Sequence, residues 1–342
     1  MNKILTIIIP TYNMEKYLRK CLNSLIVSNK YMERLEILVI NDGSKDSSSE
    51  IAHEYEQKYP NTYRVVDKEN GNYGSCINHG LKEATGKYIK VLDADDYFDS
   101  QVFQLFLDKL CLIDADLVIS SFCIINANGE QQKVFKYNLP ENVIFEFSEL
   151  PPDIDILMHG VTYKTEILLR IGYHQTEGIS YTDQEWIFHP MIAVKDIFYF
   201  PQILYQYLVG RDGQTMEENV MIRNLIQEGQ GVIAMSKLYD KTFTEQQKKI
   251  EYFRCRLYRR IRNLYLLYLI RYRKETSLDQ LIFIDNELRK YPSLYIEMEN
   301  IKYSPKIPLR FIQYWRRHNY KLGILRLLYY IEKLRLFKMS HS

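Results

Sequence analysis

The stretch Gly86–Asp99, GKYIKVLDADDYFD, constrains this chain more than any other. Tyr88-Ile89-Lys90-Val91-Leu92 has strand character and runs straight into three carboxylates, Asp93, Asp95 and Asp96. A buried strand that delivers acids at its C-terminal end places them at the mouth of an open α/β sheet, where such sheets bind ligands. Asp93 and Asp95 are two apart, so an extended chain sends both side chains to one side. Clustered carboxylates repel one another, and a hard divalent cation with oxygen ligands relieves that repulsion. The plainer alternative is an acidic turn that caps the following helix. Asp99 is placed to cap a helix beginning near Gln101, which leaves Asp93 and Asp95 free of that duty. The metal reading is favoured.

The residues before this segment alternate between strand and helix patterns. Leu5-Thr6-Ile7-Ile8-Ile9 is an apolar, β-branched run expected of a central parallel strand, with Pro10 expected to end it. Leu35 to Ile40 is a second strand, ending in Asn41-Asp42-Gly43-Ser44, and Tyr63 to Val66 is a third, leading to the loop Asn70-Gly71-Asn72-Tyr73-Gly74-Ser75. With helices between them, this β-α-β-α-β-α-β series predicts a doubly wound, mostly parallel sheet. The strand ends that should face a nucleotide carry Pro10-Thr11-Tyr12, Asp42, Asn70 to Gly74, and Asp93-Ala94-Asp95. No GxGxxG follows the first strand and no GxxxxGK[ST] occurs, which excludes a dinucleotide fingerprint and a P-loop. Asp42 suits a base edge, because a carboxylate accepts from an imide N–H. Alone, Asp42-Gly43-Ser44 would be a tight turn.

Three blocks, Ile7-Ile8-Ile9-Pro10-Thr11-Tyr12-Asn13, Val39-Ile40-Asn41-Asp42-Gly43-Ser44 and Val91-Leu92-Asp93-Ala94-Asp95-Asp96, resemble the family 2 glycosyltransferases in order and spacing. The resemblance implies a GT-A fold and a donor site built from Pro10, Tyr12, Asp42, Asn70, Gly71, Asp93, Ala94 and Asp95. It further implies that Asp42 meets uracil, and that Asp93 and Asp95 lie at the donor diphosphate with Mn²⁺ or Mg²⁺ on Asp95. One departure stands out. Many relatives carry an S-x-A-R-N-x-G-like segment, whereas Ser75-Cys76-Ile77-Asn78-His79-Gly80 has Ile77 at the Arg position.

Further along, Asn126-Ala127-Asn128-Gly129 predicts a hairpin turn, and Gln132 to Phe147 reads as edge structure. Thr182 with Glu185 three residues later reads as a capping box at a helix start. That occupies Glu185 and leaves Asp183, which the resemblance makes the catalytic base. Arg211, between Gly210 and Gly213, resembles the mobile segment that closes on the donor diphosphate in relatives. Its plainer reading is a surface arginine in a flexible loop. His159 is more readily structural than part of an acceptor site.

The expected organisation is a donor half (1–125) and an acceptor and base half (126–215) of one GT-A domain, then a basic helical C-terminal region (216–342). The formal net charge of +2 hides an asymmetry: residues 216–342 hold 25 Lys+Arg against 13 Asp+Glu, and residues 1–215 hold 20 against 30. Basic, aromatic-edged helices such as Lys306–Lys338 suit an anionic membrane surface or acceptor polymer, or plain packing. No nucleic-acid-binding motif is present, and nucleic acid is not an expected partner. Five cysteines without metal-ligand spacing, the lack of a leader pattern before Thr6 and the lack of an apolar run of ~20 residues fit a cytoplasmic enzyme, peripheral on the inner face of the plasma membrane. The function expected is an inverting, metal-dependent transfer from a UDP-sugar to a hydroxyl of a cell-surface glycan. The rivals are a sugar-nucleotide pyrophosphorylase, which wants a Gly- and Arg-rich loop after the first strand, and a non-catalytic scaffold subunit.

Overall fold

The computed structural model describes residues 2–211, 214, 217–242 and 247–339. The chain divides into two compact units, Met1–Gln214 and Thr215–Ser342.

In the first unit, the chain alternates β1 (Leu5–Thr11), α1 (Leu18–Asn23), α2 (Asn29–Met32), β2 (Leu35–Asn41), α3 (Ser48–Lys58), β3 (Tyr63–Asp67), α4 (Asn72–Glu83) and β4 (Tyr88–Val91). All seven residues of β1 and of β2 are buried, as strands covered on both faces require. Strands β3, β2, β1 and β4 pair in parallel in that spatial order. Pro10 does not end β1, which runs on to Thr11. The pairing with β4 stops at Ile8, so the proline's missing N–H faces no neighbouring strand there.

Beyond the acidic turn come β5 (Tyr97–Phe98), α5 (Ser100–Leu112), β6 (Leu117–Ile125), β7 (Gln131–Phe135), β8 (Ile144–Glu146), β9 (Val161–Lys164), α6 (Thr165–Arg170), α7 (Asp183–Trp186) and β10 (Asp196–Leu208). Asp99 caps α5 as expected, its Oδ1 accepting from the Gln101 and Val102 amides at 3.0 Å. The turn at Gly129 (φ 79°) joins β6 to its antiparallel partner β7. The sheet continues as β4-β9-β6-β10-β5, with β9 antiparallel to both β4 and β6. The sheet is therefore parallel through its first half and mixed beyond.

The second unit is helical: α8 (Glu218–Arg223), α9 (Leu225–Thr242), α10 (Gln247–Leu266) with a π-turn at Leu267–Arg271, α11 (Leu278–Leu288), α12 (Pro292–Glu297), α13 (Phe311–Arg317) and α14 (Leu325–Met339). Leu257, Ile261, Tyr265, Tyr268, Phe311 and Trp315 are buried within it. The basic residues are partly internal. Arg260 pairs with Glu228, Arg262 donates to the Lys302 and Tyr303 carbonyls, and the Arg316 side chain is only 6% exposed. Phe311, Trp315, Leu325 and Leu328 are core, which favours packing for that side of the segment. The opposite side of α14 exposes Leu327, Tyr330, Ile331 and Leu334.

Candidate active site

The site is built where β1, β2 and β4 end. Pro10 is buried in β1 and Tyr12 just beyond it is 46% exposed. Asn13 takes a left-handed φ of 54°. Its Oδ1 accepts from the Lys45 amide at 2.7 Å, and its own amide donates to Ser44 Oγ at 3.0 Å. These bonds tie the β1 and β2 ends together. Asp42, nearly fully buried, accepts on Oδ1 from the Gly71 amide (2.9 Å) and from the Lys68 ammonium. Its backbone carbonyl accepts from Asn70 Nδ2 at 3.0 Å. The Cys76 thiol beside it is pushed up to about 12 by burial and by the Asp42 charge. Lys68 carries no signal in the sequence beyond its place in the loop after β3.

Asp93 is half-buried at the end of β4 and accepts from the Tyr73 hydroxyl at 2.9 Å. Burial, and then the Asp95 charge, push its carboxyl up to about 7. Ala94 is buried, and Asp95 forms an ion pair with Arg211 Nε. Asp212, Gly213 and Thr215, part of the same expected mobile segment, lie outside the described residues. Asp96 turns inward. Its Oδ2 accepts from the Tyr205 hydroxyl (2.5 Å) and its Oδ1 from the Leu208 amide (2.7 Å), while Tyr205 also accepts from the Asp93 amide (3.2 Å). Asp96 thus fixes the acidic turn to β10, and Asp93 and Asp95 face the cleft.

Asp93, Asp96 and His159 each offer a ligand atom within 4.8 Å of the others. His159 is buried against Tyr207, Tyr205 and Phe122, with Nδ1 lacking a partner. Burial and the nearby Lys90 lower it to about 3, so the ring is neutral. Lys90 itself is fully buried, donates to the His159 (2.8 Å) and Val161 (3.1 Å) carbonyls, and is lowered by burial to about 7. A lysine inside an otherwise apolar strand was the visible signal of this second layer; Tyr73 and Tyr205 gave none.

Asp183 opens α7 and accepts from Gln184 Nε2 at 2.9 Å. It lies near enough to Asp93 for its charge to raise that carboxyl. The expected capping box is not formed. Thr182 makes no side-chain cap bond, and its Oγ1 instead accepts from Gln175 Nε2 at 2.8 Å. Glu185 is occupied, but by the Thr176 amide (2.8 Å) rather than by the Thr182 amide. Thr182 sits in the helical region (φ −84°, ψ −1°) rather than in the extended conformation a side-chain cap uses, and the incoming loop supplies the donor to Glu185 instead. Asn78 holds that loop: its Nδ2 donates to the Gln175 carbonyl (2.9 Å) and its Oδ1 accepts the Gln175 amide (2.9 Å). Gly74 permits the approach, since a Cβ there would lie 2.0 Å from the Thr176 carbonyl oxygen. Ile77, which stands where many relatives carry an Arg, is fully buried.

Residues 6–170 match the model of Glycosyl transferase family 2. An uncharacterised glycosyltransferase of Mycoplasma genitalium is 42% identical over 129 residues, 36% of this chain and 42% of that protein. A poly(ribitol-phosphate) beta-glucosyltransferase of Bacillus spizizenii is 28% identical over 222 residues, 62% of this chain and 33% of that protein. The chain thus spans less than half the length of these relatives. The crystal structure of residues 1–349 of Staphylococcus aureus TarS, solved with UDP, superposes with a TM-score of 0.65 at 18% identity, covering 97% of this chain and 91% of that one. The match to glycosyl transferase family 2 thus spans residues 6–170 of the first unit, and the fold is GT-A.

Proposed function

We propose that the chain is an inverting glycosyltransferase that moves a sugar from a UDP-sugar to a hydroxyl of a cell-surface glycan or related polymer. The observation that carries this reading is the convergence of Asp93, Asp95 and Asp183 beside the strand end that holds Asp42. UDP as the nucleotide is supported by the complex of the fold neighbour, and a polyol-phosphate polymer as acceptor by the name of the Bacillus relative. Residues 1–125 hold the donor and 126–215 the acceptor and base.

The donor set fits a divalent cation. Burial and then the Asp95 charge raise Asp93, and a bound cation would offset both. Asp95 and Asp93 would hold Mn²⁺ or Mg²⁺, which when bound would supply positive charge to offset that of the leaving diphosphate. Asp42 accepts from the base, with Pro10, Tyr12, Asn70 and Gly71 around it. Arg211, poised on Asp95, transfers its guanidinium to the diphosphate, where bidentate bonds are strong. Asp183 Oδ1 or Oδ2 takes the acceptor hydroxyl proton as that oxygen attacks the anomeric carbon. Inversion needs no nucleophile from the protein.

The C-terminal unit, with its +12 surplus, engages an anionic surface such as the inner leaflet. No helix of the described residues is long and apolar enough to cross a membrane. UDP released from a panel of UDP-sugars, with and without polyol-phosphate acceptor, tests the whole reading. Acceptor-dependent release from at least one donor is expected, and none from any donor with any acceptor contradicts it.

A further inference from the structure

We infer that Lys68 reads the donor base together with Asp42, making it a specificity-determining residue of the nucleotide site. This rests on the UDP-sugar reading above. The Lys68 side chain is 10% exposed and the Asp42 side chain 4%, so the pair is enclosed at the end of β2 rather than lying on the surface. Enclosing an ammonium is costly unless its charge and protons are used. Lys68 Nζ donates one proton to Asp42 Oδ1 and one to the Glu69 carbonyl at 2.7 Å. The third proton remains for a ligand. Asp42 Oδ1 is shared with the Gly71 amide and the Cys76 thiol also bonds the carboxylate, which still has a lone pair to accept from a base.

An acceptor and a donor held side by side form a two-point code. Uracil matches it, because its N3–H lies between two carbonyls, O2 and O4. Asp42 accepts from N3–H and Lys68 donates to O4, the carbonyl that cytosine lacks. Cytosine held in the same register presents an unprotonated N3 to the carboxylate, and its amino group replaces O4. The ion pair also orients Asp42 in the resting site. A site built to hydrogen-bond a polar edge rejects analogues that leave its buried groups unpaired.

The test measures UDP, CDP and N3-methyl-UDP binding by calorimetry to the full chain, as wild type, Lys68→Met and Lys68→Arg, with far-UV CD to check folding. Wild type should prefer UDP, and N3-methyl-UDP should bind at least ~10-fold more weakly. Lys68→Met should lose UDP affinity by ~10-fold or more, the loss of one charge-assisted bond, and narrow the UDP/CDP ratio. Lys68→Arg should retain most of both. A Lys68→Met variant that binds UDP within twofold of wild type, or loses UDP and CDP equally, overturns the inference. Should Lys68→Met not fold, wild-type binding of 2-thio-UDP and 4-thio-UDP decides. At least ~10-fold weaker binding of 4-thio-UDP, with 2-thio-UDP as the control, supports the O4 contact, and 4-thio-UDP binding equal to UDP overturns it. Wild type that binds no UDP contradicts the donor reading itself, whereas wild type that binds UDP without these effects contradicts only the role of Lys68.

Discussion

Asp285 in the second unit and the Asp93–Asp96 cluster in the first are both acids withdrawn from water, with opposite surroundings. Asp285 is fully buried and completely answered. Its Oδ1 accepts from Arg316 Nε (3.0 Å) and Nη2 (2.8 Å) and from the Tyr265 hydroxyl, and its Oδ2 from the Tyr295 hydroxyl (2.8 Å). The Arg316 guanidinium also lies 3.5 Å over the Tyr295 ring. Around Asp93, three acids in four residues share one arginine, two tyrosines and a few amides. Burial, and then the Asp95 charge, raise Asp93 to about 7. A buried charge with every partner supplied by the chain holds helices together. A buried charge left short of partners marks where the chain expects a ligand.

The largest effect expected from this contrast lies in the second unit. Asp285→Ala strands Arg316 without its anion and should cost ~3–5 kcal/mol, read as the unfolding midpoint of the helical unit in urea. A loss under ~1 kcal/mol would break the distinction, because Asp285 would then not be a structural charge.

Next in size is the pair Asp183 and Glu185. Asp183→Asn should lower transfer by at least ~10²-fold while donor affinity persists, as initial rates and calorimetry would show. Glu185→Gln keeps an oxygen for the Thr176 amide and should affect stability more than rate. Normal transfer by Asp183→Asn, with a folded but inactive Glu185→Gln, would reverse the roles.

A smaller and sharper effect comes from Lys90, whose ammonium donates to backbone carbonyls. Burial lowers it from 10.5 to about 7, so the folded state binds fewer protons than the unfolded state between those values. Its contribution to stability therefore rises with pH across that window and is flat below it. Relative to Lys90→Met, wild type should gain up to ~1.4 kcal/mol per pH unit between pH 7.5 and 9.5 in paired denaturation curves. A constant difference would show that Lys90 titrates normally.

The strand ends were legible because strands buried on both faces write themselves as apolar runs, and acids at such ends are out of place there. Asp42, Asp93, Asp95 and the cap at Asp99 could all be read from that rule. What could not be read was anything that depends on residues far apart in sequence. Tyr205 lies 109 residues from Asp96, which it bonds, and Tyr73 is 20 residues from Asp93. Thr182 and Glu185 had the spacing of a capping box, yet tertiary partners, Gln175 and Thr176, outcompeted the local pattern. The basic tail is a parallel case: its charge is visible in sequence, but the burial of Arg316 is not.

The most direct test of the central claim, that the acid cluster is short of a cation and a diphosphate, is the thermal stabilisation by UDP with Mn²⁺ or EDTA, in wild type and Asp95→Asn. At ~100 times the dissociation constant, UDP with Mn²⁺ should stabilise wild type by ~2.7 kcal/mol, and EDTA should remove most of that. Asp95→Asn should fold normally and respond to UDP equally in Mn²⁺ and in EDTA. Equal stabilisation of wild type by UDP with and without metal would contradict the claim.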